Sequence, residues 1–128
     1  MDSKQQTVVI LTVGKSDNGK RATLAFSCAL SALAIDQGAV IFLTSDGAVW
    51  GYEGSAEGTV TQGFPPLQEL IEQFREAGGR LLMCSVCHRT CSSGGIADLP
   101  SSSLIEGAEI AGFATVLELA AQGVCVTF

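Results

Sequence analysis

Charge is scarce in this sequence, and positive charge scarcer still. Only 16% of the 128 residues are charged, with 7 Lys and Arg against 13 Asp and Glu, a net charge of −6. An acidic surface repels phosphate backbones and anionic bilayers, so neither nucleic acid nor a membrane is an expected partner. A small basic cluster, Lys15, Lys20 and Arg21, does not reverse that balance. Long apolar runs are missing too. The longest uncharged stretch, Ala22–Ile35, is 14 residues and carries scattered Ser and Thr, which fits a buried helix rather than a membrane span. Nor does a positively charged leader with an apolar stretch precede the first strand-like segment, so no signal peptide is expected and the expected compartment is the cytoplasm.

Apolar residues, by contrast, are abundant. They make up 47% of the chain, and mean hydropathy is +0.37. So oily a balance implies strands buried on both faces, or apolar surface given over to a partner subunit, and a homo-oligomer is expected. The length suits one domain, residues 1–128. Thr7–Val13 is a β-branched run that reads as a central strand. A polar turn, Gly14–Gly19, leads into a helix from about Lys20 to Gln37, with Ala22, Ala25, Phe26, Ala29 and Leu33 on one stripe and Gly38 as its stop. Ala39–Thr44 is a second buried strand. Ser45–Phe64 reads as a long Gly-rich loop holding the only Trp and the only Tyr, Trp50 and Tyr52, for which packing in the core or at an interface is expected.

Pro65-Pro66 then opens an amphipathic helix with Leu67, Leu70, Ile71 and Phe74 inward, ended by Gly78-Gly79. Arg80–Met83 is a third strand, Ser101–Ile105 a short helical turn, Glu109–Ala111 a fourth strand, Gly112–Ala121 a final helix and Val124–Phe128 a last strand. Strand and helix alternate throughout, without repeats or linkers. The expected fold class is therefore α/β, a mostly parallel sheet of about five strands with helices on both faces. Ligand and catalytic groups of such sheets gather at the carboxyl ends of the strands. Here those ends are Gly14–Asn18, Ser45–Trp50 and Cys84–Cys91, which should share one rim.

Three of the five cysteines fall within Cys84-Ser85-Val86-Cys87-His88-Arg89-Thr90-Cys91. In a reducing compartment such a cluster points to metal, redox or sulfur chemistry rather than to a disulfide framework. A cysteine just after a parallel strand sits where a helix begins, and backbone N–H groups there stabilise its thiolate. His88 and Arg89, both able to carry positive charge, act in the same direction. Cys84 is thus the expected nucleophile, with Cys87 and His88 as its candidate helpers, His88 as a proton shuttle. Cys28 and Cys125 lie in apolar elements and read as packing residues.

Other readings use the same letters. Cys84-x-x-Cys87-His88 matches the c-type haem attachment pattern, but no export signal accompanies it, and no cofactor is expected. A zinc or iron–sulfur site would draw on Cys84, Cys87, His88 and Cys91, yet the adjacent Cys87 and His88 seldom reach one ion together. A thioredoxin-type motif belongs earlier in its fold. Gly14-Lys15-Ser16-Asp17-Asn18-Gly19-Lys20 imitates a phosphate-binding loop, but Arg21 stands where a magnesium-binding hydroxyl belongs, and the plainer reading is a turn with Ser16 or Asp17 capping the helix.

The opening strand and turn, Leu43–Gly47, Leu81-Leu82-Met83-Cys84, the tail from Ser101 to Gly112 and the closing Val126-Thr127-Phe128 together resemble the DsrE/DsrF/DsrH-like family of sulfur-relay proteins. The resemblance covers nearly the whole chain. It implies a three-layer α/β/α fold, homotrimers or hexamers, sulfur donor and acceptor proteins as partners, and a strand-end cysteine carrying persulfide sulfur, a position on which Cys84 falls. Cys87 and Cys91 are additions to that simple pattern. The resulting expectation is a cytoplasmic sulfur carrier or sulfurtransferase. The alternative is a non-catalytic metal-binding or thiol redox-sensing module using Cys84, Cys87 and Cys91.

Overall fold

The computed structural model describes residues 5–92 and 103–128. Among them, five strands form one sheet: β1 (Gln6–Leu11), β2 (Gly38–Leu43), β3 (Arg80–Cys84), β4 (Glu109–Ala111) and β5 (Gly123–Thr127). Their order is β4-β3-β2-β1-β5 and every pairing is parallel. The β-branched runs occupy the middle, where both faces are covered, and the shorter, more mixed segments lie outside them.

Alternation along the strands divides the core in two. Val9, Leu11, Ile41, Leu43, Leu81 and Met83 share one face, against helices α1 (Lys20–Ala34) and α2 (Leu67–Glu76). Phe26 of α1 and Phe74 of α2 meet edge to face there, with centroids 5.6 Å apart. Val8, Val40, Phe42, Leu82 and Cys84 line the opposite face and pack with Val116 of α4 (Phe113–Ala120). Each such fully buried apolar side chain contributes about 1.5–3 kcal/mol relative to exposure, so the sheet centre dominates the stability. The result is three layers, α/β/α, as the alternation implied.

Three local features differ from the sequence reading. Helix α1 ends at Ala34, not Gln37, because Asp36 takes the left-handed conformation (φ 63°). The Gln37 N–H then bonds back to the Ala32 carbonyl at 3.0 Å and the Asp36 N–H to Leu33 at 3.1 Å, a Schellman closure with Asp in glycine's usual place. Gly38 instead opens β2. The long loop is not structureless either: Ser45–Gly51 is a 3₁₀ helix, and Trp50 and Tyr52 are both core residues. Finally, Ser103, Leu104 and Ile105 are extended rather than helical. Leu104 pairs antiparallel with Tyr52, and the Ile105 N–H bonds to the Gly51 carbonyl at 2.8 Å. The serines before Leu104 read as a helix start in sequence, but Ser103 and Ile105 bond instead to the chain at Gly51–Glu53, the Ser103 carbonyl accepting the Glu53 N–H at 2.9 Å.

Candidate functional site

The carboxyl ends of β1, β2 and β3 do converge. After β2 the chain folds over the end of β1: the Thr44 N–H bonds to the Leu11 carbonyl at 3.1 Å and the Gly47 N–H to the Thr12 carbonyl at 3.2 Å. Glycine is needed at 47, since a Cβ there would strike the Leu11 carbonyl oxygen. The Trp50 indole N–H fixes the far end of the 3₁₀ helix to the Val13 carbonyl at 3.0 Å. This anchoring places Thr44 and Ser45 beside the end of β3.

Cys84 is the last residue of β3, and helix α3 (Ser85–Ser92) begins with the next residue. Two opposed effects act on its sulfur. The residue is buried, 3% exposed, and burial pushes the thiol up. Hydrogen bonds from the Cys87 N–H, the Thr44 hydroxyl, the Cys87 side chain and the Val86 N–H stabilise the thiolate and prevail, holding Cys84 below the ordinary thiol value of 9.0. The backbone donors are the otherwise unsatisfied N–H groups of the first helical turn, which is the physical reason a strand-to-helix junction suits a thiolate.

Cys87, three residues on, lies against the same groups. Its sulfur accepts the Ser45 N–H at 3.1 Å and stands 3.7 Å from Thr44 Oγ1. Ser45 reaches that position with φ 55°, in the left-handed region, an uncommon conformation for a residue with a Cβ. Cys84 and Cys87 are thus brought together. His88 is held by a different partner: its Nδ1 is 2.8 Å from the Tyr52 hydroxyl, and the two rings stack with centroids 5.9 Å apart. The Cys91 side chain lies outside the described residues. Among the described residues, Cys28, Cys84, Cys87 and Cys125 are free thiols and no three His, Cys, Asp or Glu residues cluster as a metal-binding set.

Sequence reasoning missed Thr44 and Ser45. The strand-end rule pointed to their neighbourhood, but a threonine ending a strand is too ordinary to signal a sulfur contact. The first turn behaves as its plainer reading required. Asp17 accepts the Gly19 N–H at 3.1 Å and the Arg21 N–H at 3.0 Å, so its own carboxylate fills the start of α1, where a phosphate would have had to sit.

The fold and site together define a parallel α/β protein with a hydrogen-bonded dithiol at the carboxyl ends of its central strands. A model of the DsrE/DsrF-like family matches residues 6–128, and the chain belongs to that family. The chain is also similar to the crystal structure of the ychN protein from E. coli, with a TM-score of 0.65 and 20% sequence identity, covering 97% of this chain and 99% of that one. No curated protein matches it. Family membership supports a sulfur-relay function in general terms, exercised with partner proteins. Among the described residues, no helix is long and apolar enough to cross a membrane.

Proposed function

We propose that the protein is a cytoplasmic sulfur carrier of persulfide type, with Cys84 as the residue that holds the sulfur. One observation carries this reading: Cys84 ends β3 where α3 begins, so that first-turn N–H groups, the Thr44 hydroxyl and the Cys87 side chain favour its thiolate despite its burial. The thiolate is the nucleophilic form of cysteine, and only a thiolate attacks the outer sulfur of a donor persulfide at useful speed. The product, Cys84–S–SH, yields its outer sulfur to an acceptor thiolate by the same displacement run in reverse. No net oxidation occurs in either direction. We also assign His88 of α3 to this site, as a proton shuttle whose Nδ1 lies 2.8 Å from the Tyr52 hydroxyl.

The relay needs sulfur donor and acceptor proteins, and we propose a homo-oligomer, trimer or hexamer. Phe113 and Leu117 of α4 are 60% and 70% exposed, and Val124 and Val126 of β5 are exposed as well, apolar side chains that a second copy would cover. Sedimentation is expected to show an assembly of several copies at micromolar concentration; a compact monomer would contradict that part of the reading. The carrier function is tested by incubating the protein with glutathione persulfide, desalting it, and mapping added sulfur by mass spectrometry. One sulfur atom on Cys84 is expected, with none surviving a glutathione wash in Cys84→Ser. Stoichiometric zinc or iron in protein purified without chelators, together with no sulfur uptake, would favour the metal-binding alternative.

A further inference from the structure

The carrier reading leaves a difficulty, and the two thiols resolve it. Cys84 is 3% exposed, packed among Phe42, Leu82 and Val116, where a donor molecule has almost no purchase on its sulfur. Cys87 is only half-buried and touches both halves of the core. It also has a stabilising contact of its own, the Ser45 N–H at 3.1 Å, delivered by a serine in the left-handed conformation. The Thr44 hydroxyl serves both sulfurs, 3.7 Å from that of Cys87 and hydrogen-bonded to that of Cys84. Cys84 ends β3 and Cys87 lies in the first turn of α3, and both sulfurs face the Thr44 hydroxyl, which sets the two side chains close enough for direct reaction.

Building on the carrier reading, we infer that Cys87 is the port and Cys84 the store: sulfur enters on the half-exposed Cys87 and passes inward to the buried Cys84. In the first step Cys87 passes the proton of its hydrogen bond to Cys84 and attacks, as thiolate, the outer sulfur of the donor, R–S–SH. The donor S–S bond breaks, R–S⁻ leaves with the electron pair and takes that proton from Cys84, and Cys87–S–SH forms. In the second step the Cys84 thiolate attacks the outer sulfur of Cys87–S–SH, giving Cys84–S–SH and returning Cys87 to the thiolate. Each step makes one S–S bond and breaks one, so no oxidant or reductant is consumed. The Ser45 N–H stabilises Cys87 as nucleophile in the first step and as leaving group in the second. The amides of Val86 and Cys87 favour the reverse release from Cys84 once an acceptor has approached. Burial then protects the stored sulfur from small thiols, the property a carrier needs between donor and acceptor.

The test is a rapid-quench time course with glutathione persulfide, trapped by alkylation and mapped by mass spectrometry. In the wild-type protein, sulfur is expected on Cys87 first and on Cys84 later. In Cys84→Ser, sulfur is expected on Cys87 at early times, stripped within the same experiment by added glutathione. Cys87→Ser should load Cys84 about tenfold more slowly or worse, because the donor must reach the buried sulfur unaided. Equal loading rates in Cys87→Ser and the wild type would overturn the inference. So would a wild-type course in which Cys84 is loaded before Cys87, a result that needs no variant to fold. Absence of sulfur from both cysteines of the wild-type protein would instead overturn the carrier reading, and the inference with it.

Discussion

Two helices of this protein follow central strands, α3 immediately after β3 and α1 after the short turn that leaves β1, and their first turns have been put to opposite uses. At the start of α1, the Asp17 carboxylate accepts the N–H groups of Gly19 and Arg21. At the start of α3, the Cys84 sulfur accepts those of Val86 and Cys87. The electrostatic need is the same at both ends: unpaired amides and the positive end of the helix dipole call for an acceptor with negative charge. What differs is the acceptor. A carboxylate is already ionised and chemically inert, so the first turn is only a cap. A thiol is drawn toward ionisation by the turn, and its thiolate is a nucleophile. Adjacent sequence decides the outcome, and the resemblance of Gly14–Lys20 to a phosphate loop ends where Asp17 takes the phosphate's place.

The sharpest way to break this comparison is Cys84→Ser, which keeps a hydrogen-bond acceptor at the α3 turn and removes the sulfur. Persulfide that survives a glutathione wash should vanish altogether, as read by mass spectrometry after desalting, while thermal unfolding changes little. Asp17→Ala is the matching change at α1. It should cost about 0.5–2 kcal/mol of stability in denaturant titration, the ordinary value of a lost cap, and leave sulfur uptake intact. A loss of uptake in that variant would mean that the two turns are not independent.

Thr44→Val tests a smaller effect at the α3 turn. Near-isosteric, it deletes the hydroxyl that serves Cys84 and Cys87. The Cys84 thiolate loses one donor, its pKa rises, and alkylation at mildly acidic pH should slow several-fold. Tyr52→Phe should have the smallest effect, about 1 kcal/mol of stability from the lost bond to His88. Persulfide retention on Cys84 should persist in that variant.

Much of this comparison could be read from residue order alone. Thr7–Val13, Ala39–Thr44 and the Leu67–Phe74 periodicity identified themselves because composition and period agreed with burial, and Cys84 and Cys87 stood out by spacing at a strand end. The α1 terminus misled because Asp36 does glycine's work, and propensity assigns the stop to Gly38. Gly-rich sequence disguised the Ser45–Gly51 helix, although its buried Trp50 and Tyr52 were the clue that a core element lay there. Two contacts had no local signature. Thr44 and Ser45 meet Cys87 across more than forty residues, through the β2–β3 pairing. Tyr52 captures His88 through the packing of the 3₁₀ segment on α3. Both depend on sheet register, which no short motif encodes.

The central claim is that the hydrogen bonds of the α3 turn outweigh the burial of Cys84. Its most direct test is the pH profile of alkylation at Cys84, followed residue by residue with a small reagent and peptide mass spectrometry, and read as a midpoint rather than as a rate so that access does not intrude. The midpoint is expected below that of an unperturbed cysteine thiol in the same unfolded chain. By linkage, the stabilisation that Cys84 gives the folded state is then fully present above the unfolded-state value and is lost as pH falls through the folded one. A midpoint at or above that of the unfolded chain would show that burial prevails over the donors, and would contradict the central claim.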